Sequence, residues 1–120
     1  MLFKNKTILA VDDDSEILTL YKRLFDREKI KVRLAVDATD ALTKSGDADL
    51  LITDLDMPGP SGIDLVQMLR TRKSLPAILV TGKNIIPEEY LTQVDVIFPK
   101  PFDIKSLVTF SKFLLLESLF

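Results

Sequence analysis

Hydrophobic residues occur along the chain in short unbroken runs that alternate with stretches of helical spacing. The runs predict five strands, over residues 7–11, 32–36, 50–53, 77–80 and 94–98, because a strand buried on both faces of a sheet reads as a continuous apolar segment. Apolar residues three and four positions apart predict five helices: around residues 17–25, over 38–45, around 63–69, over 88–93, and from 104 almost to the chain end.

Capping and turn-forming residues mark the ends of these helices. Asp13 and Glu16 have the spacing of an N-cap and its returning acid, and Gly46 suits the end of the second helix. Pro87 suits the first position of the fourth helix, and Asp103 suits the N-cap of the last. Strand and helix therefore alternate through the whole sequence.

Alternation with short connections predicts an α/β fold with a parallel sheet and helices on both faces, because right-handed crossovers place the helices there. The 120 residues are enough for one buried core, so we predict one domain over residues 1–120. In such doubly wound sheets, ligands bind beyond the carboxyl ends of the strands. Functional residues are therefore expected at that edge.

Composition narrows the chemistry that the chain can perform. Hydrophobic residues make up 47% and charged residues 28% of the sequence, with no Cys and no His. These values predict a globular protein without disulfides, a thiolate metal site or a membrane span, and we expect a cytoplasmic location, since no signal peptide is evident. The net charge of −2 gives no general attraction to nucleic acid. Any chemistry must use carboxylates, lysine or hydroxyl groups.

The predicted strands end on residues that carry such chemistry. Asp12 and Asp13 follow the first strand, Asp54 the third, Thr81 the fourth and Lys100 the fifth. Three carboxylates about 5 Å apart would repel each other by roughly 3 kcal/mol per pair at an effective dielectric constant near 20. Mg²⁺ is the natural counterion, because it prefers oxygen ligands and often bridges carboxylates to phosphate. Lys100 could then pair with phosphoryl oxygens, and Thr81 could donate its hydroxyl.

Each of these residues also has an ordinary structural explanation. The acids after the first strand could be solvated helix caps, and Asp54 could begin a turn before Met57 and Pro58. Thr81 could make only a local backbone bond. Four strand ends that carry complementary groups in one fold favour a functional site.

Five segments carry a resemblance to a known family. They are residues 8–14 with three consecutive aspartates, Asp54-Leu55-Asp56-Met57-Pro58-Gly59, Ser61-Gly62, Thr81-Gly82, and Lys100-Pro101-Phe102. In this combination the chain resembles response-regulator receiver domains over essentially its whole length. The resemblance implies a flavodoxin-like sheet with strand order 2-1-3-4-5.

The resemblance implies that Asp54 is the nucleophile that takes a phosphoryl group by in-line transfer. The donor would be a histidine kinase, a histidine phosphotransfer protein or a small molecule such as acetyl phosphate. Thr81 and Lys100 would contact the phosphoryl group, and the Lys100–Pro101 peptide bond would be cis. The domain would be a signalling switch and not an enzyme with a separate substrate, since it would catalyse only its own phosphorylation and dephosphorylation.

The resemblance also implies a set of metal ligands. Asp13 and Asp54 would bind Mg²⁺ directly together with the backbone carbonyl of Asp56, and Asp12 would hold a metal-bound water. The positions two places after the acceptor and two after the threonine tune the lifetime of the phosphoryl group in this family. Here they are Asp56 and Lys83, which we expect to pair across the mouth of the site.

Two features depart from the family pattern. Family members usually carry Tyr or Phe three residues before the lysine as a switch, whereas this chain has Ile97. Phe98 is adjacent but should face the other side of the strand. Only 19 positions separate Thr81 from Lys100, fewer than is typical, which predicts a shortened fourth helix.

Two alternative functions remain open. Residues 51–56 resemble the DxD start of haloacid-dehalogenase-type phosphatases, but Pro58 stands where that motif has Thr or Val, and such enzymes have longer chains. A pseudo-receiver would keep the fold without being phosphorylated, but its hallmark is a lost acid or lysine, and here the acids and Lys100 are present.

The last helix carries apolar residues on two faces, of which one suffices for the core. We expect the core face to hold Ile104, Leu107, Val108, Leu114 and Leu115. A second face holds Phe110, Phe113, Leu116 and Phe120. It predicts contact with a second copy or with an output domain.

Overall fold

The computed structural model describes residues 2–117. Within that range the chain forms five strands and five helices in strict alternation. The strands are β1 (Thr7–Val11), β2 (Lys31–Ala35), β3 (Leu50–Asp54), β4 (Ala77–Thr81) and β5 (Val96–Pro99). The helices are α1 (Ser15–Arg27), α2 (Ala38–Lys44), α3 (Gly62–Arg70), α4 (Glu88–Leu91) and α5 (Ile104–Glu117).

All neighbouring strands are parallel, and their order is β2-β1-β3-β4-β5. This is the predicted flavodoxin-like order, with its topological switch between β1 and β3. Side chains of β1 and β3 alternate between two cores. One core contains Ile8 and Ile52 with residues of α1 and α5, and the other contains Leu9 and Leu51 with residues of α2 and α3. Helices therefore cover both faces of the sheet, and the carboxyl ends of the strands share one edge.

Local hydrogen bonds explain where the predicted boundaries were wrong. The N-cap of α1 is Asp14 and not Asp13, and the Asp14 carboxylate accepts from the backbone N–H of Glu16 at 2.9 Å. Strand β2 ends one residue earlier than predicted, because the N–H of Val36 donates to the Asp40 carboxylate at the start of α2. Helix α2 ends at Lys44 with Ser45 as its C-cap, ahead of Gly46.

The region around α4 is short, as the spacing between Thr81 and Lys100 predicted. Helix α4 has four residues, Pro87 is its N-cap and not its first helical residue, and no side chain caps it. Strand β5 begins at Val96, two residues later than predicted, because the Asp95 carboxylate turns to accept from the N–H of Ala77 at 2.8 Å. Ile97 and Phe98 do belong to opposite cores.

Helix α5 buries Leu107, Ser111, Leu114 and Leu115. Ile104 does not join this core face as predicted, since it lies at the first turn and is exposed, while Val108 is half-buried. Phe113 is exposed on the second face, whereas Phe110 is partly covered by an edge contact with Phe98. Leu116 is half-buried, and Phe120 lies outside the described residues. In the described part of the chain, no helix is both long and apolar enough to cross a bilayer.

Candidate functional site

The predicted site residues meet at the carboxyl edge of the sheet. Asp12 directly follows β1, Asp54 is the last residue of β3, and Thr81 is the last residue of β4. Thr81 is in register with Pro99 of β5, so Lys100 leaves the sheet beside it. The backbone N–H of Lys100 donates to the carbonyl of Thr81 at 2.9 Å. The parallel topology therefore brings residues that are far apart in sequence into one cluster.

Three carboxylates of this cluster can share one cation. One carboxylate oxygen each of Asp12, Asp13 and Asp54 lies within 4.8 Å of the other two. Asp12 and Asp54 are buried, whereas Asp13 is exposed. Buried carboxylates with only oxygen atoms to offer, open to solvent on one side, fit a hard divalent ion that keeps some of its waters. The residues present therefore suit Mg²⁺.

Lys100 provides a positive charge between the two buried acids. Its Nζ lies 2.8 Å from Oδ2 of Asp12 and 3.4 Å from Oδ1 of Asp54. Burial lowers the pKa of Lys100, but the hydrogen bond to Asp12 and the charges of Asp12 and Asp54 outweigh that effect, so its pKa lies above the usual value. The ammonium therefore stays protonated at neutral pH.

The environment of Asp54 favours its neutral form. Burial and the neighbouring charge of Asp12 raise the pKa of the Asp54 carboxyl to about 6, against the opposing effect of Lys100. Above that pH the group is an ionised carboxylate. It is then available as a nucleophile, and its protonation competes with metal binding only at acidic pH.

Asp12 is fixed in place by a local turn. Its Oδ1 accepts from the backbone N–H of Asp14 at 2.9 Å, while Oδ2 faces Lys100. The three consecutive aspartates thus have different tasks: Asp12 closes the turn and pairs with Lys100, Asp13 points its carboxylate at the cluster, and Asp14 caps α1.

Thr81 is the last residue of β4, and Asp56 and Lys83 follow two residues after Asp54 and Thr81, respectively. Thr81 is buried, and its Oγ1 accepts from the backbone N–H of Lys83 at 3.1 Å. Lys83 Nζ lies 3.4 Å from Oδ1 of Asp56, which confirms the predicted pairing. The Asp56 side chain is therefore turned toward Lys83 and is not one of the three clustered carboxylates. Its predicted metal contact through the backbone carbonyl stays a prediction. The Lys100–Pro101 bond is cis, as predicted.

The structure adds two residues whose contacts with Asp54 the sequence did not suggest. A Cβ atom on Gly62 would lie 2.1 Å from the carbonyl oxygen of Asp54, so the start of α3 packs directly on the backbone of the acceptor strand. The hydroxyl of Thr53 donates to the same carbonyl oxygen at 3.0 Å. Gly62 had a weak signal, since glycine is common where the backbone must make a close approach. Thr53 carried no signal.

A third residue, Tyr21, was predicted only as part of the helix core. It is fully buried, and its ring stacks on Phe102 with a centroid distance of 5.8 Å and an interplanar angle of 11°. Burial, followed by the charges of Asp12 and Asp54, raises the pKa of its hydroxyl. Helical spacing alone could not reveal that this core residue stacks on Phe102 and is influenced by the charges of Asp12 and Asp54.

Comparison with known proteins gives a consistent result. The family model for the response regulator receiver domain matches residues 8–111. The transcriptional regulatory protein CpxR of Klebsiella pneumoniae is 38% identical over 105 residues, which cover 84% of this chain and 45% of that protein. The heme response regulator HssR of Staphylococcus saprophyticus is 31% identical over 107 residues, which cover 85% of this chain and 48% of that protein. The chain therefore spans less than half the length of these curated relatives.

Solved structures show the same similarity. The receiver domain of the Francisella response regulator 1452 has a TM-score of 0.86 at 28% identity, covering 95% of this chain and 99% of that one. The response regulator TrrA of Thermotoga maritima, solved in complex with Mg²⁺-BeF, has a TM-score of 0.78 at 31% identity, covering 91% of this chain and 98% of that one.

Proposed function

The chain belongs to the response regulator receiver domain family, and we propose that it is a phosphoryl-accepting switch in which Asp54 is the acceptor. The observation that carries this assignment is the position of Asp54. Its buried carboxylate lies beside Asp12 and Asp13 and 3.4 Å from the ammonium of Lys100. The receiver-domain match over residues 8–111 supports this function over the phosphatase interpretation. We take residues 1–120 as one receiver domain.

The chemistry follows from the charges around the acceptor. A carboxylate oxygen of Asp54 attacks phosphorus and forms the new O–P bond. The bond from phosphorus to the donor breaks, and its electron pair leaves with the histidine nitrogen of a kinase or phosphotransfer protein, or with the acetate oxygen of acetyl phosphate. Lys100 neutralises negative charge on the phosphoryl oxygens, and the Thr81 hydroxyl donates a hydrogen bond to one of them.

The acidic cluster would hold the metal that this reaction needs. Asp13 and Asp54 would bind Mg²⁺ directly, together with the backbone carbonyl of Asp56. Asp12 would hold a water molecule bound to the metal. Bound Mg²⁺ would supply positive charge that offsets the acids and the transferred group. Three oxygen donors within 4.8 Å of one another support this assignment.

The partners follow from the reaction class and from the extent of the chain. A histidine kinase or histidine phosphotransfer protein would supply the phosphoryl group, in the cytoplasm. Because the chain spans less than half of the relatives it matches, an output domain or separate effector would read the phosphorylated state. We assign no direct nucleic-acid or membrane binding to residues 1–120.

Helix α5 provides a surface for such a partner. Phe113 is exposed, and Phe110 is exposed on one side while its ring contacts Phe98 of β5. Large apolar side chains in contact with solvent favour an interface. We assign this face to a second copy of the domain or to an output domain.

Incubation with Mg²⁺ and acetyl phosphate, followed by intact-mass spectrometry, tests the proposed function. One phosphoryl adduct is expected on the wild type, and none on Asp54→Asn, because an amide oxygen is a poor nucleophile while its volume is nearly the same. Glu88→Gln on the exposed surface of α4 is the control, and it should be modified like the wild type.

The possible outcomes separate the functions. Absence of an adduct on the folded wild type would indicate a pseudo-receiver. Phosphorylation of Asp54→Asn at the wild-type rate would show that another residue is the acceptor.

A further inference from the structure

Residues 100–103, which include Lys100, connect β5 to α5 without regular secondary structure. Lys100 and Pro101 follow β5, and α5 begins only at Ile104. Pro101 is exposed, and one side of the segment lines a groove together with Ile17 and Leu20 of α1. Its geometry cannot come from regular secondary structure, so it must come from individual contacts.

Two backbone hydrogen bonds hold the ends of the segment. The N–H of Lys100 donates to the carbonyl of Thr81 at 2.9 Å, and the carbonyl of Asp103 accepts from the N–H of Leu107 at 3.0 Å. Between them, Phe102 is half-buried and stacks on Tyr21 of α1 at 5.8 Å. This stack connects the segment to a fully buried side chain on a helix of thirteen residues.

The ion pairs of Lys100 cannot replace that connection during the reaction. Asp12 and Asp54 hold the ammonium in the structure at 2.8 and 3.4 Å. Once a cation occupies the cluster and a phosphoryl group is transferred, these carboxylates have other partners, and Lys100 must face the phosphoryl oxygens. The stack of Tyr21 on Phe102 carries no net charge and does not depend on which groups pair with Lys100. It can therefore hold the segment before and after phosphoryl transfer.

From this geometry we propose that Tyr21 is a positioning residue for phosphoryl transfer: its ring, stacked on Phe102, holds the segment of residues 100–102 so that Lys100 points into the acidic cluster. The inference rests on the proposed function, and it adds a residue of α1 to the machinery. Burial first, and then the charges of Asp12 and Asp54, raise the pKa of the Tyr21 hydroxyl, so these carboxylates act on it electrostatically.

The test compares rates of phosphorylation by acetyl phosphate in variants of the stack. Tyr21→Leu removes the ring and should slow phosphorylation about tenfold, because displacement of a catalytic group by a fraction of an ångström to 1 Å costs rate on that order or more. Tyr21→Phe keeps the ring and should restore most of the rate. The affinity for Mg²⁺ should not fall in either variant, because displacement of Lys100 removes a cation that competes with the metal for Asp12 and Asp54, so a slow rate cannot be due to loss of the metal. Phe102→Leu breaks the stack from its half-buried side and should reproduce the slow rate in a domain whose buried core is intact.

Phe25→Leu is the matched control for general loss of core packing. Phe25 is also fully buried and lies one helical turn further along α1 in the same core. It should lower the melting temperature about as much as Tyr21→Leu does, without the loss of rate.

A double-mutant cycle with Lys100→Ala shows whether Tyr21 acts through the lysine. In that background, Tyr21→Leu should cause little further slowing. Wild-type rates in both Tyr21→Leu and Phe102→Leu, or an equal slowing with and without Lys100, would overturn the inference. A wild type that takes no phosphoryl group at all would instead refute the proposed function.

Discussion

The ammonium of Lys100 lies 2.8 Å from the fully buried carboxylate of Asp12, whose other oxygen accepts from the backbone N–H of Asp14. This pair neutralises one of three clustered acids. The buried carboxylate of Asp54 and the exposed carboxylate of Asp13 remain as the other two acids of the cluster. The cluster therefore has an excess of negative charge that favours binding of a divalent cation. The same charge balance determines how the domain responds to metal and to pH.

Mg²⁺ should stabilise the folded domain, because it binds a cluster that the unfolded chain lacks. At about 100 times Kd the gain in the free energy of unfolding is about 2.7 kcal/mol, which corresponds to a rise in Tm on the order of 10 °C. The rise should be smaller below pH 6, since the pKa of Asp54 is about 6 and protons then compete with the metal. Thermal unfolding with and without Mg²⁺ measures it. Asp13→Asn should weaken the rise and Glu88→Gln should not, and an equal Tm with and without the ion would refute the site.

Without metal, the stability of the domain should depend on pH through Asp54. The folded-state pKa is raised to about 6, so the folded domain holds this proton more tightly than the unfolded chain does. The contribution of Asp54 to the free energy of unfolding is fully present below the pKa of the unfolded chain, and it is lost as the pH rises through about 6. The Asp54→Asn variant has no carboxyl group to ionise at this position, so it does not lose this stability as the pH rises. In metal-free denaturant titrations it should exceed the wild type in stability near neutral pH by at most about 3 kcal/mol, because the pKa of Asp54 is raised to about 6 in the folded domain. A stability difference that does not vary with pH would contradict the assignment.

Most of the fold could be predicted because its strands are continuous apolar runs that are buried on both faces, as in β1, where Ile8 and Leu9 face different cores. The errors arose where a side chain makes a tertiary or local bond that the pattern does not encode. Val94 and Asp95 looked like the start of a strand, but the Asp95 carboxylate accepts from Ala77 instead.

The candidate site was predictable for the residues that end strands, since parallel topology alone brings Asp12, Asp54 and Thr81 together. The roles of Gly62 and Tyr21 could not be predicted in this way. Their contributions depend on how closely α3 packs on the acceptor strand and on the direction of one ring from α1. Neither quantity is encoded in hydrophobic periodicity.

Gly62→Ala should disturb both the stability and the reactivity of the domain. The new methyl group would lie 2.1 Å from the carbonyl oxygen of Asp54 and 3.1 Å from the Cα of Leu55, so the backbone of α3 or β3 must move. Overpacking of this kind costs about 1–3 kcal/mol of unfolding free energy, and we expect slower phosphorylation because the acceptor shifts. Gly46→Ala, which meets nothing within 4 Å, is the control for both denaturation and rate. A Gly62→Ala variant as stable and as fast as the control would show that the close approach is unimportant.

Self-association through α5 should depend on Phe113. If the partner of this face is a second copy, sedimentation at high protein concentration will show a dimer, and Phe113→Asp will shift it to monomer because a buried, unpaired carboxylate is costly in an apolar interface. Thr19→Asp, which adds the same charge on the exposed surface of α1, should leave the dimer intact. A monomeric wild type, both phosphorylated and unphosphorylated, would leave the output domain as the partner of this face.

The pairing of Asp56 with Lys83 should lengthen the life of the phosphoryl group. Lys83 Nζ lies 3.4 Å from Oδ1 of Asp56, and we expect this pair, two residues beyond Asp54 and Thr81, to hinder the attacking water. Both side chains are more than half exposed, so the pair is worth at most about 1 kcal/mol and the expected effect on rate is severalfold. Measured by acyl-phosphate decay, Asp56→Asn and Lys83→Ala should each accelerate hydrolysis, and the double variant should add little more, because either change alone opens the pair. If Asp56 instead orients the attacking water, Asp56→Asn will slow the decay, and the shielding role of the pair is then wrong.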